Sequence, residues 1–279
     1  MTTRLILLGT AAGPAPKRTR SAPAQVVVAD GASYVIDCGS GVARQMVHAG
    51  VPLDSLRSVF VTHHHSDHNA DYGNLFLHAW ASNLEHVVTT VGPPPLAEMT
   101  EQFFHLNRFD IDTRIADEGL PPLPDLVKPE EVTAGGVVYR DDRVRVTATT
   151  VHHPPIEIAL AYRIDTADRS IVISGDTAPC DALVELARGA DILVHEVMYR
   201  PAVDDLVAGF NATRLREHLL ASHTDVDDVG RIAQRAGVSH LVLSHLVPTD
   251  VDIPDEVWHK HAQQGFDGDV TVGRDLMEL

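Results

Sequence analysis

The chain has 279 residues, 44% of them apolar and 22% charged, with a formal net charge of −17. Residues 1–279 are therefore enough for one large globular domain with its own core. The charge disfavours long polyanions as partners through non-specific attraction. No apolar run approaches the roughly 20 residues that would cross a bilayer, so no membrane is expected.

Residues 4–8 read as a strand that ends at Gly9-Thr10 and is preceded by no signal-peptide pattern. Two cysteines, Cys38 and Cys180, give no disulfide framework, which points to small buried residues and a reducing cytoplasm. Residues 11–23 hold three prolines and the basic cluster Lys17-Arg18-Thr19-Arg20, the mark of a loop. Residues 25–29 and 34–37 form a hairpin pattern around Asp30-Gly31. A short helix is expected over 39–50, then a strand over 56–61. Leu75, Phe76, Ala79 and Trp80 have helical spacing, and 87–91 reads as a strand closed by Gly92-Pro93-Pro94-Pro95. Residues 96–115 are amphipathic and aromatic-bearing, and 121–129 are proline-rich. This part reads either as a lid or as a covered surface insertion.

Two strands over 137–151 turn at Asp141-Asp142, and 158–164 and 170–174 add two more. A helix over 182–188 leads to a buried-looking strand, 192–195. Residues 225–236 read as a helix with Thr224 or Asp225 as N-cap. A strand over 241–244, a helix over 254–264 and a strand over 269–272 complete the chain. Strands followed by helices, in both halves, indicate an α/β fold of two sheets face to face with helices outside.

The strand 56–61 runs into Thr62-His63-His64-His65-Ser66-Asp67-His68. Imidazole nitrogens and carboxylate oxygens are the ligands that zinc and similar metals take. If the chain stays extended, period-two geometry puts His63 and His65 on one face and His64 on the other. A turn into a helix near Asp67 would direct Asp67 and His68 to a second, adjacent centre. Three further motifs follow strands: His152-His153-Pro154, Ser174-Gly175-Asp176-Thr177 and Ser244-His245. His195-Glu196 ends a strand, and Ser222-His223-Thr224 is expected to open a helix. A carboxylate beside an imidazole fixes its tautomer and supports its charged form.

His63-x-His65-x-Asp67-His68 resembles the first metal motif of the metallo-β-lactamase fold. The resemblance implies a four-layer αββα sandwich, with two mixed sheets and an active site at one edge between them. It selects His153, which precedes a proline as in the ribonuclease Z and arylsulfatase-like branch. It then implies His63, His65 and His153 on one metal, Asp67, His68 and His245 on the other, and Asp176 bridging. The expected cofactors are two Zn²⁺ ions, with Mn²⁺ or Fe²⁺ as alternatives. Glu196 and His223 resemble that branch's proton-donating pair, with His195 in support. Asp67, Glu196 and His223 are the implied catalytic residues, and a hydroxide between the metals is the implied nucleophile.

Ribonuclease Z usually carries a long basic arm between the third-motif His and the bridging Asp; here only residues 154–175 intervene. The chain also continues Leu246-Val247-Pro248 after the last His. Both departures favour a small anionic ester, a phosphodiester or sulfate, over nucleic acid. Alternatives are a lactonase or carboxylic-ester hydrolase, a ribonuclease Z-type RNA endonuclease, and a non-catalytic metal-dependent binding protein. Family resemblance suggests a homodimer. The remaining histidines, His218 among them, read as ordinary surface or core residues.

Overall fold

The computed structural model describes residues 2–279. The first half runs β1 (Arg4–Gly9), β2 (Ala24–Ala29), β3 (Ala32–Ile36), α1 (Val42–His48), β4 (Leu56–Phe60), α2 (Ser66–Asn69), α3 (Tyr72–Trp80), β5 (Val88–Gly92), α4 (Leu96–Leu106), α5 (Arg108–Glu118) and β6 (Val127–Glu131). The second half runs β7 (Gly136–Arg140), β8 (Arg145–His153), β9 (Ile156–Asp165), β10 (Ser170–Ile173), α6 (Asp181–Leu186), β11 (Ile192–Met198), α7 (Val203–Val207), α8 (Leu215–Ser222), α9 (Val226–Ala236), β12 (His240–Val247), α10 (Asp255–Ala262), β13 (Asp269–Val272) and β14 (Met277–Glu278). They form two seven-stranded sheets, β14-β1-β2-β3-β4-β5-β6 and β13-β12-β11-β10-β9-β8-β7. Both are mixed: β3–β6 run parallel in the first, and β10–β13 run parallel in the second.

Three apolar layers hold the four-layer sandwich together. Between the sheets lie Leu5, Leu7, Tyr34, Ile36 and Phe60 from one, and Tyr162, Ile171, Ile173 and Val194 from the other. Outside the first sheet, Ile6 and Leu8 pack with Met46, Phe76 and Trp80 from α1 and α3. Outside the second, Val172, Leu193 and Leu241 pack with Val229, Ile232 and Trp258 from α9 and α10. Central strands covered on both faces read as continuous apolar runs rather than alternating ones, which is the pattern of β1 and β11.

Several expectations are corrected. Residues 96–118 form two helices, with Phe103 packed so closely on Gly73 that a Cβ there would lie 2.2 Å from its ring. Leu96, Ile111, Leu123 and Leu126 are buried in the outer core, which anchors the segment, while Leu106 and Phe109 stay exposed. Pro129 sits in β6, an edge strand, where its missing N–H costs no ladder bond. His223 does not open a helix. It lies in extended conformation after α8, and α9 starts three residues later with Asp225 accepting from the Asp227 amide. Among the described residues, no helix is long and apolar enough to cross a membrane.

Candidate metal centre

After β4 the chain stays extended to His65, which precedes the first turn of α2 (φ −70°, ψ 143°). His63 and His65 therefore share one side. His64 turns away, with Nε2 2.7 Å from the Pro93 carbonyl and Nδ1 3.1 Å from Asn69 Nδ2. The first turn of α2 then delivers Asp67 and His68. β8 brings His153, β12 brings His245, and the turn after β10 brings Asp176. Gly175 adopts φ 58° with Leu160 O only 2.7 Å from where a Cβ would stand, so a larger residue cannot make this turn without displacing backbone.

All seven expected ligand residues converge, in two groups. His63, His65, His153 and Asp176 form one, and Asp67, His68 and His245 the other, while Asp176 and His245 also come together with His223. In the first, His65 Nδ1 lies 3.0 Å from His63 Nε2 and 3.1 Å from His153 Nε2. In the second, His245 Nε2 is 3.4 Å from Asp67 Oδ2, and His68 Nε2 is 3.6 Å from the same oxygen. Asp176 reaches both: Oδ2 is 3.8 Å from His63 Nε2 and 3.3 Å from His245 Nε2, and Oδ1 is 3.4 Å from His68 Nε2. His68 Nε2 and Asp176 Oδ1 are buried without a hydrogen-bond partner. Buried nitrogen and oxygen lone pairs aimed at one another are costly unless something electron-poor sits between them. This donor set fits a pair of divalent cations.

The ligands are held from behind. Asp37 Oδ2 accepts from His68 Nδ1 at 2.7 Å, and the Ser222 carbonyl accepts from His153 Nδ1 at 2.9 Å. Thr62 Oγ1 lies 3.0 Å from His63 Nδ1, and the Gly13 amide donates to Asp67 Oδ2 at 2.9 Å. Burial holds His63 well below the usual imidazole range and pushes His153 down to about 4, so both are neutral, the form that ligates.

Glu196 and His223 also meet, with Oε2 3.3 Å from Nδ1. Glu196 Oε1 accepts from the Thr224 amide at 2.8 Å, which fixes the carboxylate. Burial pulls the His223 pKa down, but the charge and hydrogen bond of Glu196, with the charges of Asp176 and Asp67, outweigh it, and His223 ends above its ordinary value. His195 belongs to neither group. Its ring is fully buried, with Nδ1 2.6 Å from the Glu196 carbonyl, so the expected support for the pair is not seen.

A cavity of about 300 Å³ opens over these groups, with His65, Asp67, Asp176, His223 and His245 in its lining. Leu206, Phe210 and Leu219 of the α7–α8 segment line it with apolar side chains, together with Pro14 and Val247. His218 lines it too, with ring centroids 5.9 Å from His65 and 6.1 Å from His223. It is thus not an ordinary surface residue. Its spacing to His223 (i, i+5) carries no signal before α8 and the turn after it are known.

A family model described as "Beta-lactamase superfamily domain" matches residues 33–246. Proteins called Ribonuclease Z align nearly end to end. The one from Mycolicibacterium gilvum (strain PYR-GCK) is 36% identical over 97% of this chain and 93% of its own. The one from Mycobacterium bovis (strain BCG / Pasteur 1173P2) is 34% identical over 98% and 96%. Among solved structures, the metallo-beta-lactamase fold protein YhfI from Bacillus subtilis superposes with a TM-score of 0.73 at 21% identity, covering 99% of this chain and 98% of that one. Human tRNase Z, short form, gives 0.70 at 20% identity, with the same coverage.

Proposed function

Because the chain belongs to the β-lactamase superfamily, in its ribonuclease Z-like branch, and is a metal-dependent hydrolase of the phosphodiester type, we propose that it cleaves RNA. The observation that carries this reading is the end-to-end similarity at 34–36% identity to proteins called Ribonuclease Z. The preference for a small anionic ester over nucleic acid rested on the missing arm and on the Leu246-Val247-Pro248 continuation after the last His. These relatives align over 93–96% of their own length with a chain that has only 22 residues, 154–175, at that place. A long insertion there is therefore not what separates them from this chain, and the arm no longer argues against RNA. Sulfate and lactone substrates have no support in the comparisons.

In the proposed site His63, His65 and His153 hold one cation and Asp67, His68 and His245 the other, with Asp176 between. Nitrogen and oxygen donors in this number suit zinc, with manganese or iron as alternatives. When bound, two such cations neutralise charge on a phosphoryl group and lower the pKa of water. The chain's own residues do the rest. Asp37 and the Ser222 carbonyl hold two imidazoles in one orientation. Glu196 engages His223 Nδ1, leaving Nε2 to give a proton to the departing oxygen. A cavity of about 300 Å³ accepts one nucleotide at the scissile phosphate and leaves the rest of a polynucleotide outside.

The test is side-by-side turnover of RNA, bis(p-nitrophenyl) phosphate, p-nitrophenyl sulfate and a simple lactone by protein loaded with zinc or manganese. Metal-dependent cleavage of RNA and of the phosphodiester is expected. Hydrolysis of the sulfate or the lactone with no RNA cleavage would overturn the reading.

A further inference from the structure

A second cavity, of about 340 Å³, opens between the loop 11–22 and α1, and its wall shares Gly13, Pro14, Ala15 and Lys17 with the first. Lys17, Arg20, Arg44 and His48 line it, and no carboxylate does. This is unusual in a chain with 39 Asp and Glu against 22 Lys and Arg. On the other side of the same loop, a third cavity sets Arg18, Arg20 and Arg274 against four aspartates, so charge cancels there. Lys17 is tied to Asp250 at 2.6 Å, and Arg20 donates to Thr10 Oγ1 and the Gly273 carbonyl. Arg44 is exposed, and its Nε lies 3.3 Å from His48 Nε2.

We propose that this groove takes the phosphate backbone of the RNA next to the scissile bond, with Arg44 as its free cation. The proposal rests on the RNA reading and adds the path of the strand: across the Gly13–Lys17 wall and onto α1. A chain of net charge −17 repels a polyanion at long range, so binding needs a local reversal of sign, and phosphates supply the charge to be neutralised. A guanidinium meets a phosphate through two parallel hydrogen bonds, which suits Arg44 better than a lone ammonium. A small diester is contained in the first cavity and does not reach Arg44. RNA and small diesters therefore respond differently to changes there.

Arg44→Glu is the test, on the metal-loaded enzyme, with Arg44→Lys as the conservative variant. Charge reversal should lower kcat/KM for a short oligouridylate by about tenfold, reduce the slope of log KM against log salt by about 1, and leave bis(p-nitrophenyl) phosphate within about twofold. Arg44→Lys should restore most of the loss. An equal loss on both substrates, or none on the oligonucleotide, would overturn the groove. If the wild-type enzyme hydrolyses the diester but not RNA, the RNA reading itself fails. The groove is then measured as the oligonucleotide's inhibition of diester hydrolysis. A Ki raised about tenfold by Arg44→Glu supports it, and an unchanged Ki overturns it.

Discussion

Asp37 backs His68 at the closed end of the centre. Its Oδ2 accepts from His68 Nδ1 at 2.7 Å and from the Thr62 hydroxyl at 2.9 Å, while Oδ1 accepts the Thr62 amide at 2.8 Å. One carboxylate thus fixes both the tautomer of His68, leaving Nε2 for the site, and the backbone that carries His63. Asp37→Asn should weaken metal binding by about 10–100-fold. Competition with a chromophoric chelator measures it, and an unchanged affinity would make Asp37 a packing residue only.

Asp176 is the carboxylate within reach of both histidine groups. In the proposed two-cation site, removing it would leave the cations without the negative charge between them. Asp176→Ala should lose activity and at least one metal equivalent. Elemental analysis of the purified variant decides this: two equivalents held as tightly as in wild type would remove Asp176 from the site.

Asp141 joins the two sheets through the turn between β7 and β8. It accepts from Tyr34 of β3 at 2.6 Å and from the amides of Arg143 and Val144, each at 2.8 Å. Burial pushes its pKa up, but these donated bonds pull it further down, and it ends below the usual carboxylate value. A depressed folded-state pKa means that the unfolded chain binds the proton first. The contribution is therefore present above about pH 4 and lost as pH falls through the folded value. Asp141→Asn should cost about 1 kcal/mol at pH 7, and the gap to wild type should be smaller at about pH 3. Urea unfolding of the metal-free proteins at both pH values is the measurement. A gap that is constant with pH would assign the loss to shape and not to charge.

Most of the candidate ligands were legible from a local mark: a proline after His153, a glycine before Asp176, the crowding of His63 to His68; His245, inside β12, carries none. Asp37 carries no such mark. Its place beside Thr62 comes from the parallel pairing of β3 with β4, Ile36 opposite Phe60, and a long-range register has no signature in either segment. The α7–α8 segment failed for another reason. Helices of five and eight residues are too short to show a period, and their apolar side chains face a cavity as well as a core. Net charge is a poor guide to a nucleic-acid partner, since it averages over a surface that includes a groove lined by Lys17, Arg20, Arg44 and His48 and by no carboxylate.

The last prediction concerns His223. Burial alone would lower its pKa, but Glu196, with the charges of Asp176 and Asp67, raises it above the ordinary imidazole value, which favours the charged form that a proton donor needs. A proton donor matters in proportion to how poorly the leaving group departs without help. A p-nitrophenoxide leaves as the anion, whereas a ribose alkoxide has a conjugate-acid pKa far above neutral and needs the proton in the transition state. General acid catalysis contributes about 10²–10⁴-fold. His223→Ala should therefore slow an alkyl phosphodiester, or RNA, by roughly that factor and bis(p-nitrophenyl) phosphate much less, with metal content unchanged. Glu196→Gln should follow the same pattern more weakly, because it removes the orienting charge and keeps the imidazole. It should also shift the alkaline limb of the kcat profile to lower pH, since the charged imidazole loses its partner. The measurement is kcat/KM across phosphodiesters of graded leaving-group pKa, in wild type and both variants. Parallel lines, with the same loss at every leaving group, would end the proton-donor role and leave His223 as a residue that binds or supports.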